Sequence, residues 1–224
     1  MKISVIIPAL NEKEVIEKTL REIVKVPGTE VIVSDGGSTD GTLEVSANVA
    51  RIVTSRPGRG IQMNAGASVA SGDVLLFLHA DTLLPENWEE KLLSAMSDEG
   101  VVGGAFTLSI DSARLFHKII AAAANIRSRV TGIHYGDQGI FVKRSVFDKI
   151  GGFKDIPIME DVDLMRRLKK VGTVVMLKDK VATSARRWDK EGAVHATIRN
   201  WLLITLYYMG VAPERLYKLY KMIR

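Results

Sequence analysis

Over its first third the chain alternates short, almost wholly apolar runs with longer segments of helical period. Residues 3–7 form a β-branched run stopped by Pro8, the pattern of a buried strand. Across 12–25 the apolar positions Val15, Ile16, Thr19, Leu20 and Ile23 share one helical face. Asn11 is expected to cap that helix, with Glu12 and Glu14 at its positive end. The pattern then predicts a strand over 30–34, a helix over 42–50, a strand over 51–54, a helix over 62–70 and a very hydrophobic strand over 74–78. Strand, helix, strand in regular order implies parallel pairing. The second half is mixed, with strands over 102–110, 139–142 and 173–177 and helices over 115–130, 160–170 and 193–209. The expected fold class is therefore α/β: a Rossmann-like sheet, parallel first and mixed later, flanked by helices. Residues 1–190 read as one domain and 191–224 as its helical C-terminal extension, whose apolar stretch 201–209 is far short of a membrane span.

Composition narrows the chemistry. The 224 residues include no Cys, which excludes a disulfide scaffold, a zinc ribbon and a cysteine nucleophile together, and leaves oxygen or imidazole as metal ligands. With 31 Lys plus Arg against 26 Asp plus Glu the formal charge is +5, enough to suit an anionic ligand or membrane surface without requiring nucleic acid. The N-terminal apolar run is too short for a signal peptide, so a cytoplasmic protein is expected. In 201–224, Leu202, Leu203, Leu206, Tyr207, Leu216, Leu219 and Met222 interleave with Arg215, Lys218, Lys221 and Arg224. That pattern fits peripheral contact with the inner face of an anionic membrane, and equally packing on the same domain or on a second copy of the chain.

In an open α/β sheet, ligands bind beyond the carboxyl ends of the strands, and every polar cluster of the first half falls there. Asn11-Glu12 follows the first predicted strand, 35–40 the second, 56–60 the third and His79-Ala80-Asp81 the fourth. The first loop has no G-x-G-x-x-G, which argues against a dinucleotide. Asp35 can accept hydrogen bonds from a base edge or a ribose, with Gly36 and Gly37 leaving the backbone open; an Asx-type turn is the alternative, and capping is favoured for Thr39 and Asp40. Arg56 and Arg59, set between Pro57, Gly58 and Gly60, can present guanidinium forks to a diphosphate, or stand solvated. Asp81 suits Mg²⁺ or Mn²⁺, and His79 as a second ligand would favour Mn²⁺. Glu160-Asp161-Val162-Asp163 opens a helix behind an apolar approach, which fits either a general base or simple answering of the helix dipole. Arg186, Arg187 and Trp188 can hold an anionic leaving group or a sugar face, or be surface cations over a buried Trp.

Taken in order, Ile6-Ile7-Pro8-Ala9-Leu10-Asn11-Glu12, residues 33–42, Leu78-His79-Ala80-Asp81, Gly151-Gly152-Phe153 with Glu160-Asp161-Val162-Asp163-Leu164, and Arg186-Arg187-Trp188 resemble the family 2 glycosyltransferases of the GT-A fold. The resemblance covers roughly residues 1–190. It implies that Pro8, Ala9, Glu12, Asp35, Gly36, Arg56, Gly60 and Asn64 line the nucleotide, that Asp81 with His79 binds the metal, and that Asp161, with Glu160 as its stand-in, is the catalytic base. Arg187-Trp188 match the end of the family's Q-x-x-R-W block, on the leaving-group or acceptor side. Two positions depart from the pattern: His79 replaces the first carboxylate of D-x-D, and Ser184 stands where the block has Gln. The implied activity is metal-dependent, inverting transfer of a sugar from a UDP, dTDP or GDP donor to a hydroxyl of a lipid or small molecule, with Mn²⁺ or Mg²⁺. A sugar-1-phosphate nucleotidyltransferase and a noncatalytic nucleotide-sugar sensor or membrane-peripheral partner protein are the alternatives.

Overall fold

The computed structural model describes residues 1–223, so Arg224 of the basic C-terminal pattern lies outside the described residues. The elements run β1 (Ile3–Ala9), α1 (Lys13–Ile23), β2 (Glu30–Asp35), α2 (Thr42–Ser46), β3 (Arg51–Thr54), α3 (Arg59–Val69), β4 (Val74–Phe77), β5 (Thr82–Leu83) and α4 (Trp88–Met96). There follow β6 (Val101–Asp111), α5 (Leu115–Thr131), a 3-10 turn (Gly136–Gln138), β7 (Ile140–Lys143), α6 (Arg144–Lys149), α7 (Glu160–Leu168), β8 (Thr173–Ser184), α8 (Arg186–Glu191), α9 (Ala193–Tyr208) and α10 (Pro213–Ile223).

The strands form one eight-stranded sheet in the order β3-β2-β1-β4-β7-β6-β8-β5. β3, β2, β1 and β4 are parallel, β7 is antiparallel to both neighbours, and β5 is antiparallel to β8, so the sheet is parallel first and mixed later as its sequence implies. Helices cover both faces, which is why β1 and β4 are buried at almost every position. Val5 and Ile7 pack with Ile16 and Leu20 of α1 and Leu92 of α4, while Ile6 turns the other way to meet Met63 of α3, Phe77, and Met165 and Leu168 of α7. Phe77 also stacks on Phe147 and, edge-on at 4.8 Å, on Phe153, which anchors the segment leading into α7 beneath the sheet.

Several elements depart from expectation. β8 extends seven residues beyond the predicted end at 177, because pairing with β6 and β5 holds a segment whose alternation is weak. α2 stops at Ser46, short of 50. α3 begins at Arg59 instead of Gln62, so Arg59 and Gly60 are its first turn and not part of a loop. Asn11 does not cap α1; it lies at φ +55° and its side chain crosses to the next loop. The free N–H groups at the start of α1 are met instead by Thr42 Oγ1, bonded to Glu12 N at 2.9 Å, and Asp40 Oδ2, bonded to Lys13 N at 3.1 Å.

At the C-terminus, Leu203 and Leu216 are buried and the Arg199–Glu191 ion pair, 2.7 Å, joins α9 to α8. Much of the interleaved pattern is thus packed on the chain itself. Among the described residues no helix is long and apolar enough to cross a membrane.

Candidate functional site

Register brings the strand-end loops together. Ala9 pairs with Asp35 and Asp35 with Thr54, so three strands end in one row, and the Leu78 N–H donates to Ile6 O at 3.0 Å to set β4 alongside. Gln62 then ties the row: its Nε2 donates to Ala9 O (2.7 Å) and Ser34 O (2.9 Å), and its Oε1 accepts from Gly58 N (3.2 Å). A Cβ at Gly36 would sit 3.1 Å from that amide, which accounts for glycine there. Gln62 has no motif around it, and the sequence pattern assigns it only to a helix.

Asp35 is buried. Its Oδ2 accepts from the Gly37 and Ser38 N–H groups at 2.7 and 2.9 Å, and its Oδ1 from the Ser38 hydroxyl, so the carboxylate forms the Asx-type turn that was its alternative reading. Asn11 braces the same loop, accepting from Thr39 N at 2.9 Å. Asp40 caps α2 through Thr42 N as well as α1, in line with the capping role favoured for it.

The basic loop divides. Arg56 is exposed and ion-paired to Asp155. Arg59 reaches inward, its Nε 2.7 Å from Glu160 Oε1, and the Glu160 carboxylate raises its pKa further. Two residues assigned to nucleotide are explained by packing. Asn64 turns both ends of its amide to the backbone of Phe153, at 2.9 Å to N–H and 2.8 Å to C=O. Gly60 lies under the same segment, where a Cβ would meet Lys154 O at 2.9 Å. Glu160, the stand-in base, is buried and paired with Arg59, and burial pushes its pKa up.

His79-Ala80-Asp81 is held from both sides. Thr19 Oγ1 donates to Ala80 O at 2.8 Å, and the Ser184 N–H donates to Asp81 O at 3.1 Å, which brings the start of α8 to the turn. There Arg186 Nη2 stands 2.6 Å from Glu12 Oε2 and 3.9 Å from Asp81 Oδ2, one cation between two carboxylates. Burial, with Arg59 and Arg187 adding to it, holds the His79 imidazole down at about 3, so it is neutral. Asp161 faces this turn across Gly136: its Oδ2 accepts from Gly136 N at 2.8 Å, its Oδ1 from Val162 N at 2.7 Å, and a Cβ on Gly136 would lie 2.8 Å from His79 Nε2. Arg187 acts electrostatically on His79 and on Asp137. Trp188 does not share that placement; it packs against the core, its ring centroid 6.3 Å from His117.

The strand-end crevice so assembled brings together, as candidates, Pro8, Ala9, Glu12, Asp35, Gly36, His79, Asp81, Asp161 and Arg187. Arg186, one of the cations expected on the leaving-group side, joins them through Glu12 and Asp81, and Asp137 joins them without having been singled out. The sequence model of glycosyl transferase family 2 matches residues 4–153. The chain belongs to that family. Its relatives include the probable glycosyltransferase YdaM of Bacillus subtilis (strain 168), 26% identical over 85% of this chain and 51% of that protein. An undecaprenyl-phosphate 4-deoxy-4-formamido-L-arabinose transferase of Salmonella paratyphi B is 31% identical over 63% of this chain and 48% of its own. The chain spans about half the length of the curated relatives it matches. The fold is that of GT-A glycosyltransferases: Mycobacterium tuberculosis glucosyl-3-phosphoglycerate synthase, solved with Mn²⁺, UDP and glucosyl-3-phosphoglycerate, superposes with a TM-score of 0.63 at 24% identity, over 86% of this chain and 75% of that one. S. aureus TarS 1-349 with UDP gives 0.66 at 18% identity, over 82% and 60%.

Proposed function

We propose that this family 2 member transfers a sugar, with inversion, from a nucleoside diphosphate sugar to an acceptor hydroxyl. The observation that carries the reading is the opposition of Asp161 and His79-Ala80-Asp81 across Gly136: a carboxylate on one side of a small space, a candidate diphosphate site on the other. In this reading Asp161 takes the acceptor's hydroxyl proton, the acceptor oxygen bonds to the anomeric carbon, and the carbon–phosphate-oxygen bond breaks with its electron pair leaving on the diphosphate. Two backbone N–H bonds fix the direction in which Asp161 points, so its orientation is prepared before substrate arrives. Arg187 contributes charge on the leaving side. Residues 1–190 act as the catalytic domain and 191–224 as its packed extension.

The residues present fit a divalent cation. Asp81 offers hard oxygen and His79 a neutral imidazole, while the Arg186 guanidinium already stands as a cation between Asp81 and Glu12. Among the described residues no three His, Asp or Glu side chains could hold an ion by themselves, so diphosphate oxygens would complete the shell. Mn²⁺ or Mg²⁺ bound there supplies positive charge to the departing diphosphate. The mycobacterial synthase, crystallised with Mn²⁺ and UDP, supports this choice of probes.

Release of nucleoside diphosphate from UDP-, dTDP- and GDP-sugars tests the proposal, with Mn²⁺ or EDTA and with a hydroxyl acceptor such as glycerol 3-phosphate. Metal-dependent release that an acceptor accelerates is expected. Pyrophosphate release from a nucleoside triphosphate and sugar 1-phosphate would instead mark a nucleotidyltransferase. Tight binding with no turnover would mark a sensor.

A further inference from the structure

The turn Gly136–Gln138 is a fixed platform inside the crevice. Gln138 is fully buried, its Oε1 accepting from Ser128 Oγ at 2.7 Å and Tyr135 N at 3.1 Å, its Nε2 donating to Phe106 O at 3.2 Å. On the open side Gly136 touches both halves of the proposed machinery, Asp161 through its N–H and His79 through the space a Cβ would fill. In an in-line displacement the transferred sugar lies between the leaving diphosphate and the base, and this turn borders that space. Asp137 is the next residue.

Asp137 is half-buried, and its carboxylate has no hydrogen bond or ion pair among the described residues. Arg127 of α5, Asp161 of α7, Arg187 of α8 and Arg59 of α3 all act on it, and burial, reinforced by Asp161, pushes it up to about 6. A carboxylate partly withdrawn from water with no donor of its own is unusual, and the chain places one beside the proposed reaction centre. Nothing in the transfer steps above uses it.

We infer that Asp137 determines specificity for the donor sugar, its carboxylate accepting hydrogen bonds from ring hydroxyls of the transferred residue. The inference rests on the glycosyltransferase reading. As an acceptor-only group Asp137 favours a neutral sugar with free hydroxyls and disfavours a uronate, whose own carboxylate would confront it.

Titration calorimetry with Mn²⁺ tests this on UDP, dTDP and GDP, their glucose conjugates, and UDP-glucuronate. The wild-type protein is expected to bind a glucose conjugate about tenfold or more tighter than the glucuronate, in keeping with the cost of an unpaired or repelled charge. Asp137→Asn, and Asp137→Ala as a second variant, should narrow that ratio to roughly threefold or less while leaving affinity for the free diphosphate within about twofold. Neither variant should melt below wild type, since each removes a half-buried charge with no hydrogen-bond or ion-pair partner among the described residues. A preserved ratio, an absent ratio in the wild type, or an equal loss of free diphosphate affinity overturns the inference. Failure of the wild type to bind any of the three diphosphates would instead overturn the glycosyltransferase reading itself.

Discussion

Asp35 serves a turn and still faces the crevice row that Ala9 and Thr54 define. Gly37 N–H, Ser38 N–H and the Ser38 hydroxyl occupy three of the roughly four lone-pair positions of an ionised carboxylate, leaving one for a ligand. An acceptor there meets N3–H of uracil or thymine, or N1–H of guanine, whereas adenine and cytosine present a lone pair at the equivalent position. An unpaired buried polar group costs about 1–3 kcal/mol. UDP, dTDP or GDP should therefore bind at least roughly tenfold tighter than ADP or CDP in calorimetry with Mn²⁺, and equal affinity for UDP and ADP would exclude base reading by Asp35. Asp35→Ala is a poor probe, because it also releases the turn. His134 sets a second expectation. It is buried with neither ring nitrogen hydrogen-bonded, and burial, with Arg127 and Lys169 nearby, holds it down at about 4. Its folded pKa lies below the unfolded 6.5, so its contribution is complete above pH 6.5 and is lost as pH falls from 6.5 towards 4. The difference is roughly 3 kcal/mol at about 1.4 kcal/mol per pKa unit. Denaturant melts across that range should show this slope, and His134→Leu should flatten it; an unchanged slope would contradict the assignment.

The elements that carry the crevice were legible because each strand of the parallel half is a short, largely apolar run followed by a polar loop. Strand ends therefore placed Asp35, His79 and Asp81 along one edge of the sheet, where the structure also has them. Contacts between distant segments were not legible. β5 is two residues long and exists through pairing with β8, and that pairing is what delivers Arg186 to Asp81. Gly136 and Asp161 lie 25 residues apart and meet through one N–H bond, so no local pattern marks Asp137 as part of the site. For Asn64, which the family resemblance set beside the nucleotide, the structure shows a packing role instead, its amide fastening α3 to Phe153. Asn64→Ala leaves that N–H and C=O unpartnered and is expected to cost about 1–3 kcal/mol of stability in denaturant titration, with UDP affinity unchanged within about twofold. A loss of UDP affinity with stability intact would restore Asn64 to the nucleotide site.

At the scale of the whole molecule, two helices present apolar residues outward. Leu115, Ile119, Ile126 and Val130 lie exposed on α5 beside Lys118 and Arg129, and Val194, Ile198 and Trp201 lie exposed on α9. Apolar side chains among cations, with a net charge of +5, suit the surface of an anionic bilayer. The protein should float with phosphatidylglycerol vesicles at low salt and not with phosphatidylcholine vesicles. A protein that stays at the bottom in both removes the membrane contact. The central claim is the role of Asp161, whose N–H-fixed carboxylate takes the acceptor proton, and the direct measurement is nucleoside diphosphate release by Asp161→Asn beside wild type. Its turnover should fall by on the order of 10² to 10⁴ while its affinity for the free diphosphate stays unchanged; turnover at the wild-type rate would contradict the assignment.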